Sequence, residues 1–556
     1  MAALKIENLI TDHLDLWTAA VRPKSSAGRG SNSKLELTGI KKLRELILEL
    51  AVRGKLVPQD PSDEPASVLL ERIAAEKERL LKEGKIKKPK ALPEISEDEK
   101  PFSVPERWNL VRLGELFEIV YGKGLSTAEL TVDGYDVFGA NGVIGKYSIY
   151  LYQYEQLLVS CRGAYSGTPN ISPPKCFVTS NSLVLENSWK YLSLKYFYYA
   201  LTVGDKDHIV TGSAQPQVTT ANLSPYVIAV PPLAEQHRIV AKVDELMALC
   251  DQLEQCSESQ LAAHQTLVET LLATLTDSGD AEELAQNWAR LSTHFDTLFT
   301  TEASIDALKQ TILQLAVMGK LVPQDPSDEP ASALLERIAA EKARLVKEKK
   351  IKREKFLPEI SEDEKPFELP QGWEWCRFGA LVNFRAELVK PEDFQNFDQV
   401  APDSIEKGTG KLIKRRTVLE SGVKGPNSRF YVGQILYSKI RPSLSKAIIA
   451  DFDGLCSADM YPLDAMINSN FLLKIILSEV FLAQVRVAEN RIKMPKLNVD
   501  SLSNILVPVC PESEMKRITL KITDLILVCD QLQSSLQTNQ LTQLALAESL
   551  VEGALA

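Results

Sequence analysis

The sequence predicts an α+β fold: two mixed α/β domains separated by long antiparallel coiled-coil helices and related by a pseudo-two-fold internal repeat. Three observations predict this fold. A long segment occurs twice in nearly the same letters, two stretches carry apolar residues at a seven-residue spacing, and the regions between them hold short β-rich runs. A chain of 556 residues is also too long for one hydrophobic core, so several modules are expected.

The internal repeat organises the chain. Residues 54–108 return at 319–373 with 44 of 55 positions identical, including fourteen in a row from Gly54. A weaker echo follows at an offset of 279 instead of 265, and it includes Cys-Asp-Gln-Leu at Cys250 and again at Cys529. The material between the two echoes is therefore 14 residues longer in the second copy, and almost nothing in it aligns. The two halves share a frame and differ in their contents.

The repeat sets the predicted domain boundaries. They are an N-terminal helical region at 1–53 with a Gly- and Ser-rich flexible insertion at 23–34, a lead-in at 54–108, a first mixed domain at 109–231, a central helical region at 232–318, a second lead-in at 319–373, a second mixed domain at 374–510 and a C-terminal helix at 511–556. Both mixed domains contain short β-rich runs between Gly, Asn and Pro turns, such as 156–160 and 434–438.

Two long helices are predicted from heptad spacing. From Ile239 the apolar residues step by four and three, and the same face continues through polar Gln260 and His264 to Leu267 and Leu271. The second copy repeats this pattern from Ile518, with polar residues at Asn539 and Gln543. A helix of about 40 residues spans roughly 60 Å. Matching polar positions favour two helices that pair with each other, because buried polar residues set the register of a coiled coil. The alternative is an ordinary amphipathic core helix.

Composition excludes several classes of protein. The chain is 44% hydrophobic and 25% charged, which argues against wholesale disorder. No apolar run is long enough to span a membrane and no signal peptide is recognisable, so a cytoplasmic location is expected. Eight cysteines without a C-x-x-C pair and five scattered histidines predict reduced structural thiols and no zinc site. A net charge of −10 means that any contact with nucleic acid must be local.

No catalytic loop is recognisable. The pattern G-x-x-x-x-G-K-[ST] is absent, since Tyr147 and Leu321 stand where Ser or Thr would follow Gly-Lys. Residues 171–175 (ISPPK) are similar to part of an amino-methyltransferase loop but lack the aromatic residue that stacks on a flipped base. Asp98 and Asp363 have the Asp-x-Lys spacing of a nuclease metal site, but they lie in charged linkers and are typical of solvated charge runs.

Recognition of nucleic acid remains the function that the residues favour. Residues 411–446 contain nine basic residues and one acid, a local balance of +8 that suits contact with phosphates. The candidate DNA-binding residues of the second mixed domain are Lys414, Arg415, Arg416, Lys424, Lys439, Arg441, Arg491, Lys493 and Lys496. The alternative is an ordinary solvated face.

The first mixed domain offers loop chemistry instead of net charge. It has eight basic and nine acidic residues, and Gly-permitted turns present Lys, Arg, Asn and Gln. Such side chains can read base edges, Arg or Lys on guanine and Asn or Gln on adenine. The candidates are Tyr121, Lys123, Asn141, Lys146, Tyr147, Arg162, Gln215 and Gln217. Taken one at a time, each of these loops is also compatible with a plain turn.

Five motifs stand together in this chain. They are the frame Gly-Lys-Leu-Val-Pro-Gln-Asp-Pro, the lead-in Glu-Ile-Ser-Glu-Asp-Glu-Lys-Pro-Phe…Trp, the loop Asn141-Gly-x-x-Gly-x-Tyr147, the loop Gly212-Ser-Ala-Gln-Pro216, and Val-Pro-Pro-Leu-Ala-Glu-Gln-His-Arg-Ile239 at the start of a long helix. In this combination the chain resembles the specificity subunit of a type I restriction–modification system, over nearly its whole length.

The resemblance implies two target-recognition domains, at 109–231 and 374–510, that each read one half of a split double-stranded DNA sequence. It also implies a subunit with no activity and no cofactor of its own. Such a subunit docks two modification subunits, which bring S-adenosylmethionine, and can further recruit two restriction subunits, which use ATP and Mg. The helices from Glu235 and from Glu512 would be the spacer and the docking surface.

The second copy departs from the pattern of the first. Its counterpart of Gln215-Pro-Gln is Met494-Pro-Lys, and it has no Asn-Gly-x-x-Gly loop. A different half-site for each domain is the inference, which gives an asymmetric bipartite target. Two other readings stay open: a non-catalytic coiled-coil scaffold that presents two protein-binding domains, and a fused modification enzyme, which the missing cofactor loops disfavour.

Overall fold

A computed structural model describes residues 6–23, 35–86, 91–187, 191–212, 215–279, 281–351, 355–385, 387–488 and 496–555. Residues 24–34 of the predicted insertion, and the candidate residues Arg491 and Lys493, lie outside this part of the chain. The chain divides into two compact units, residues 1–260 with 539–556 (unit 1) and residues 261–538 (unit 2). The predicted α+β fold with two sheet-rich domains is confirmed.

Unit 1 holds the first mixed domain. Its helices are α1 Ile6–Thr11, α2 Leu14–Ala19, α3 Thr38–Val52, α4 Ala66–Lys82, α5 Leu113–Leu116, α6 Leu194–Val203, α7 Thr220–Leu223 and the first part of α8 Leu233–Asp277. Its strands are β1 Arg22–Pro23, β2 Leu35–Glu36, β3 Asn109–Arg112, β4 Glu118–Tyr121, β5 Tyr135–Phe138, β6 Val143–Tyr147, β7 Leu157–Ser160, β8 Pro169–Ile171, β9 Phe177–Val178, β10 Ser182–Glu186 and β11 Val227–Val230. The main sheet has the order β4-β10-β7-β8, a second has the order β6-β5-β9, and β3 pairs with β11.

Unit 2 holds the second mixed domain. Its helices are α9 Ala281–Thr293, α10 Phe295–Leu298, α11 Glu302–Val317, α12 Ala331–Lys347, α13 Phe378–Leu381, α14 Val418–Ser421, α15 Ser469–Leu477, α16 Glu479–Ala488, α17 Val499–Ser503 and the first part of α18 Glu512–Leu555. Its strands are β12 Glu374–Arg377, β13 Val382–Phe384, β14 Glu387–Val389, β15 Asp398–Val400, β16 Asn427–Phe430, β17 Ile435–Ser438, β18 Ala447–Ile449, β19 Gly454–Cys456, β20 Met460–Ala465 and β21 Leu506–Val509. The sheets have the orders β13-β20-β17-β18 and β14-β16-β19-β15, and β12 pairs with β21.

Each mixed domain has a four-stranded sheet of the same topology, although the two sequences do not align. In each domain the four-stranded sheet is antiparallel throughout, with the last long strand, β10 or β20, lying between the first strand and the β7–β8 or β17–β18 hairpin. Each sheet is covered by one helix, α6 packing on β7 and β8 and α15 packing on β18. The inner strands β7 and β17 are buried along their whole length, and different apolar residues can fill such positions in the same topology.

The predicted long helices are present as α8, with 45 residues, and α18, with 44. The prediction of a continuous heptad face is wrong for the second half of each helix. Leu267 and Leu546, predicted to face inward, are 51% and 53% exposed, whereas the next residues, Val268 and Ala547, are buried. Gln260 is exposed as well. An α-helix has 3.6 residues per turn, so a straight helix drifts out of a strict seven-residue repeat, and both copies re-phase at equivalent places. Antiparallel pairing of α8 with α18 stays a prediction.

Each lead-in is fastened to the start of a long helix within its own unit. In unit 1 the buried carboxylate of Glu235 accepts hydrogen bonds from the Trp108 indole at 2.9 Å and from the Gln59 amide at 2.5 Å. Arg238, one turn further along α8, forms an ion pair with Asp63. Burial raises the pKa of the Glu235 carboxyl, and the two hydrogen bonds oppose that rise. These five residues form what we call the clamp of unit 1.

Unit 2 repeats the clamp residue for residue. Glu514 accepts from the Trp373 indole at 3.0 Å and from the Gln324 amide at 3.3 Å, and Arg517 pairs with Asp328 at 2.7 Å. Burial likewise raises the pKa of the Glu514 carboxyl. The repeated letters of the sequence therefore encode a repeated contact, which explains why they include these polar residues.

A buried arginine joins the lead-in to the first mixed domain. The Arg112 guanidinium, at the end of β3, donates to the carbonyl oxygens of Pro93, Glu94 and Pro225 at 2.6 to 2.9 Å and to both carboxylate oxygens of Glu99 at 2.9 Å. All three residues of the charge run Asp98-Glu-Lys are exposed, as expected, and Glu99 in addition binds this guanidinium. In unit 2 Arg377 makes the corresponding bonds, including one to Glu364 at 2.9 Å.

Each unit also holds the end of one long helix. In unit 1 the Lys55 ammonium donates to the carbonyl oxygen of Leu555 at 2.7 Å. In unit 2 Lys320, its counterpart in the repeat, donates to the carbonyl oxygens of Thr276 and Ser278 at 2.7 and 2.8 Å. Thr276 and Leu555 are 279 residues apart, which is the offset of the second echo. Equivalent lysines therefore bind equivalent helix ends, and the lead-in of one copy meets the helix end of the other copy.

Candidate nucleic-acid interface

Loops of the first mixed domain converge at one end of its main sheet. Directly after β4, the backbone N–H of Gly122 donates to Ser182 at 3.1 Å, and directly after β7 that of Cys161 donates to Asn181 at 2.9 Å. Lys123 is linked to Val178 by a backbone hydrogen bond of 3.0 Å. The loops that leave two different strands are thus tied to the turn that precedes β10.

The β5–β6 hairpin brings its turn to the same place. The Ser182 hydroxyl donates to the carbonyl oxygen of Gly139 at 2.7 Å, and the Ser160 hydroxyl donates to that of Ala140. Gly142 has a φ of 125°, which only glycine adopts readily, and its carbonyl oxygen closes the turn by accepting a hydrogen bond of 2.8 Å from the backbone N–H of Gly139. Asn141 is exposed at the tip of this turn.

The Gln215–Gln217 segment completes the edge. Arg162 and Gln217 form an antiparallel β-bridge. The backbone N–H of Gly163 donates to the carbonyl oxygen of Pro216 at 3.1 Å, and that of Val218 donates to Cys161 at 3.0 Å. A segment some fifty residues away in sequence is therefore held beside the β7–β8 loop.

Six of the predicted DNA-binding residues consequently lie together at this end of the sheet: Tyr121, Lys123, Asn141, Arg162, Gln215 and Gln217. All six are exposed. Neither cation of this group forms an ion pair within the described ranges of the chain. Cations, amides and a tyrosine on glycine-containing turns have the chemistry to contact phosphates and base edges.

Lys146 and Tyr147 are placed differently. They lie at the end of β6 that is remote from the Asn141 turn. The Lys146 ammonium is 3.4 Å from a carboxylate oxygen of Asp136 on the neighbouring strand. The half-buried Tyr147 ring packs edge-on against Phe177 with 5.3 Å between the ring centres. Their contacts support the hairpin, so the structure does not bring them to the edge where the other six residues meet.

The basic residues of the second mixed domain are partly neutralised by acids that are distant in sequence. Arg415 pairs with Asp398 at 2.6 Å, and Arg416 pairs with Asp403 at 2.9 Å. The Arg415 guanidinium also lies 4.3 Å above the centre of the Phe452 ring. The local charge available to a phosphate backbone is accordingly smaller than the +8 counted along residues 411–446. Lys414 and Lys424 are exposed and have no ion pair with the residues that the structure describes.

Three further candidates of this domain come together at the end of the four-stranded sheet. Ile440 pairs with Lys496 in a β-bridge, and the Lys496 ammonium is 3.1 Å from Asp459. The backbone N–H of Lys439 donates to the same Asp459 at 3.0 Å, and the Lys439 ammonium lies 5.2 Å from the centre of the Tyr461 ring. Arg441 follows in the same loop and is exposed.

Sequence reasoning missed an aromatic cluster and an exposed tyrosine. The Arg429 guanidinium lies between Phe394, Phe397 and Tyr431, with 4.9 to 5.9 Å to the ring centres. This residue was counted as part of the basic run, but its contacts are with its own domain. In the first domain Tyr165, three residues after Arg162, is 55% exposed. Its position in a Gly-flanked turn was the available signal.

The described part of the chain has no group of three His, Cys, Asp or Glu side chains that could hold a metal ion. Seven of the eight cysteines are buried, and Cys256 on α8 is exposed. Among the helices that can be described, none has the length and hydropathy needed to cross a lipid bilayer.

Comparisons with known proteins show the family of this chain. A family model for the type I restriction modification DNA specificity domain matches residues 105–263. The chain is 42% identical to the specificity subunit of the type I restriction enzyme EcoAI of Escherichia coli, and the alignment covers 99% of this chain and 100% of that protein. The chain belongs to the family of type I restriction enzyme specificity subunits. A second member, the EcoEI specificity subunit of Escherichia coli, is also 42% identical over 99% of this chain and 100% of its own length.

A solved structure described as showing complex assembly and conformational transition of the type I restriction–modification system is more distant. It is 14% identical to this specificity subunit, covers 82% of this chain and 99% of the other, and has a TM-score of 0.49.

Proposed function

We propose that this chain recognises double-stranded DNA through two domains, residues 109–231 and 374–510, that each read a different half of a bipartite target. As a member of the specificity-subunit family it is a non-catalytic DNA-recognition component of a restriction–modification complex. The observation that carries the proposal is the position of six exposed candidate residues at one end of the first sheet, on loops joined by backbone hydrogen bonds and by two serine hydroxyls. The edge formed by the half-buried Lys439 and the exposed Arg441 and Lys496 would be the corresponding surface of the second domain.

An asymmetric target follows from the different chemistry of the two edges. The first edge presents amides, which suit adenine, at Asn141, Gln215 and Gln217, beside the cations Lys123 and Arg162. The candidates on the second edge are all cations, which suit guanine or phosphate. Two domains with the same sheet and different loop side chains would read different bases in similar poses. The base sequence itself also depends on DNA deformability.

The long helices supply a docking surface for partner subunits. Along the part of α18 in unit 2, Leu520 and Leu527 are 67% and 58% exposed, and side chains seven residues apart lie on one face of a helix. Exposed leucines in a row favour a protein partner. The partners we propose are two modification subunits, which bring S-adenosylmethionine, and two restriction subunits, which use ATP and Mg. No membrane partner is proposed, and a cytoplasmic location follows from DNA as the target.

The test is to map methylated adenines in cells with and without this chain, in the presence of its modification partner. We expect a single two-part motif that depends on the chain. Exchange of residues 374–510 for the same domain of a relative should change one half of the motif and leave the other half unchanged. The clamp residues lie outside the exchanged residues and are unchanged by the exchange. A variant of the clamp residue Trp373 therefore shows what loss of folding, without a change of reading domain, does to the motif.

The competing function is a coiled-coil scaffold whose two domains bind proteins. It predicts that DNA binding by the assembled complex is unaffected when Lys123 and Arg162 are replaced by Ala. A large loss of DNA binding with a shallower dependence on salt would reject the scaffold. A motif that changed in both halves after the domain exchange would instead reject independent reading by the two domains.

A further inference from the structure

The hairpin loop that carries Arg441 has a counterpart of the same length in the other mixed domain. In unit 1 Val159 of β7 pairs with Pro169 of β8, and in unit 2 Tyr437 of β17 pairs with Ala447 of β18. Nine residues lie between the paired positions in both domains, and every pair of the two hairpins is related by an offset of 278. Positions in the two loops can therefore be compared one by one, although the sequences do not align.

The two loops also have the same unusual backbone. Gly163 and Gly167 have φ values of 80° and 82°. At an offset of 278 these positions are Arg441 and Ser445, with φ values of 45° and 48°. A left-handed conformation is open to glycine and costs an L-residue conformational energy. The second domain therefore keeps the conformation of the first at both positions but has no glycine there, although glycine adopts this conformation most easily.

Ser445 has a structural reason to replace glycine. Its side chain is buried, and its hydroxyl donates to the carbonyl oxygen of Ile476 on α15 at 3.3 Å. This bond fastens the loop to the helix that covers the sheet. The hydroxyl offsets part of the conformational cost at that position.

Arg441 has no such reason. Its side chain is exposed, and it makes no hydrogen bond or ion pair with the residues that the structure describes. It also precedes Pro442, which favours an extended conformation in the residue before it. At the equivalent Gly163 an added Cβ would meet no atom within 4 Å, so this point of the loop faces open space. A strained residue without an internal contact is typical of a functional position.

We propose that Arg441 is a specificity-determining residue of the second domain, with its guanidinium reading the edge of a guanine in the major groove. The inference rests on the proposed function and deepens it. Arginine bonds guanine O6 and N7 with two parallel hydrogen bonds. The two loops match in length and backbone conformation but carry different residues at eight of their nine positions, so this loop can distinguish two half-sites. A base contact is favoured over a phosphate contact because a guanidinium held on a strained, exposed turn has the fixed direction that a two-pronged bond to a base edge requires. Lys439 and Lys496 lie on the same edge, but their ammonium groups already contact Tyr461 and Asp459. Among the described residues of this edge, Arg441 is thus the candidate cation whose side chain has no such contact.

Three variants test the proposal in the complex with the modification subunits. Arg441→Gly removes the side chain and relieves the strain, and Arg441→Lys keeps the charge without the two-pronged guanidinium. Lys349→Gly is the matched control. Lys349 is an exposed cation with a φ of 58° just after α12 in the same unit, and its counterpart in the repeat is Gly84, with a φ of 70°. Both glycine variants should leave Tm unchanged or raise it by about 2 to 4 °C.

The readout is binding to duplexes in which each base pair of the wild-type motif is changed in turn, at several salt concentrations. We expect Arg441→Gly to bind the motif about 5- to 150-fold more weakly and to lose discrimination at one base pair of one half-site, and Lys349→Gly to bind as wild type does. Arg441→Lys should keep the salt dependence and lose the same discrimination. A loss that is uniform across all duplexes, unchanged binding, or a fall in Tm for Arg441→Gly would each overturn the proposal. A wild-type complex without any preferred motif would instead overturn the proposed function itself.

Discussion

Replacement of Arg112 should weaken unit 1 far more than replacement of an exposed arginine. Methionine at this position keeps most of the volume and removes every hydrogen bond of the guanidinium. Three of those bonds go to the carbonyl oxygens of Pro93, Glu94 and Pro225. At about 1 kcal/mol for each bond, after allowing water to reach the exposed carbonyls, Arg112→Met should lower the free energy of unfolding by about 3 kcal/mol. In a unit of this size that corresponds to a fall in Tm of roughly 6 to 12 °C.

Thermal and urea unfolding measure the loss of stability. Native-state hydrogen exchange of the β3 and β12 amides, which lie in different units, then shows which unit is affected. Protection should fall in β3 and stay unchanged in β12. Arg377→Met should reverse this pattern, because Arg377 makes the equivalent bonds in unit 2. The matched control is Arg79→Met, which removes exposed ion pairs to Glu76 and Glu83 on α4. If Arg112→Met were as mild as Arg79→Met, the inference that this buried guanidinium joins the lead-in to the domain would be refuted.

Three further outcomes are expected. The hydrogen bonds from Arg112 hold the pKa of Glu99 at about 2, below its usual 4.5. This carboxylate therefore stabilises the fold fully above pH 4.5 and progressively less as the pH falls towards 2. The acid unfolding curves of wild type and Glu99→Gln should converge at the low end of this range. Deletion of seven residues within 256–275 should change the spacing of the two half-sites in the methylation motif before it changes either half, and unchanged spacing in an active complex would contradict the spacer role. Arg162→Ala should relax one position of one half-site and leave the other half intact, as the motif of the variant complex will show.

Regular features of this molecule were predictable from sequence. The strands at 157–160 and 435–438 are short β-branched and leucine-rich runs between turns, and the two long helices carry apolar residues at helical spacing. The continuation of the heptad through Leu267 was not predictable, because leucine is apolar whether it lies inside or outside. Only the neighbouring residues of a fold decide that Val268 is the one that is buried.

The candidate site was predictable in its residue types and not in its arrangement. Residue counts gave a charge of +8 to residues 411–446, but Asp398 and Asp403 lie outside that window and pair with Arg415 and Arg416. Ion pairs between residues distant in sequence cannot be read from a local count. In the same way, nothing near Gln217 in the sequence indicates that it lies beside Arg162.

The equivalence of the two hairpin loops was also beyond the sequence. Gly163 and Arg441 share no neighbouring letters, and only the strand pairing on either side places them at the same point. Backbone conformation is what the two domains have in common there, and several residue types can adopt it at different cost.

The position of the clamp has a consequence for how such chains diversify. Gln59, Asp63 and Trp108 precede the first mixed domain, and Glu235 and Arg238 follow it, so no clamp residue belongs to the domain that the clamp holds. A foreign domain inserted between these constant joints leaves every clamp contact in place, provided that it also supplies an arginine that bonds the lead-in as Arg112 does. Mutations can accumulate in the mixed domain while the clamp residues stay under the same constraint. A new DNA sequence preference can then arise by recombination in a single event.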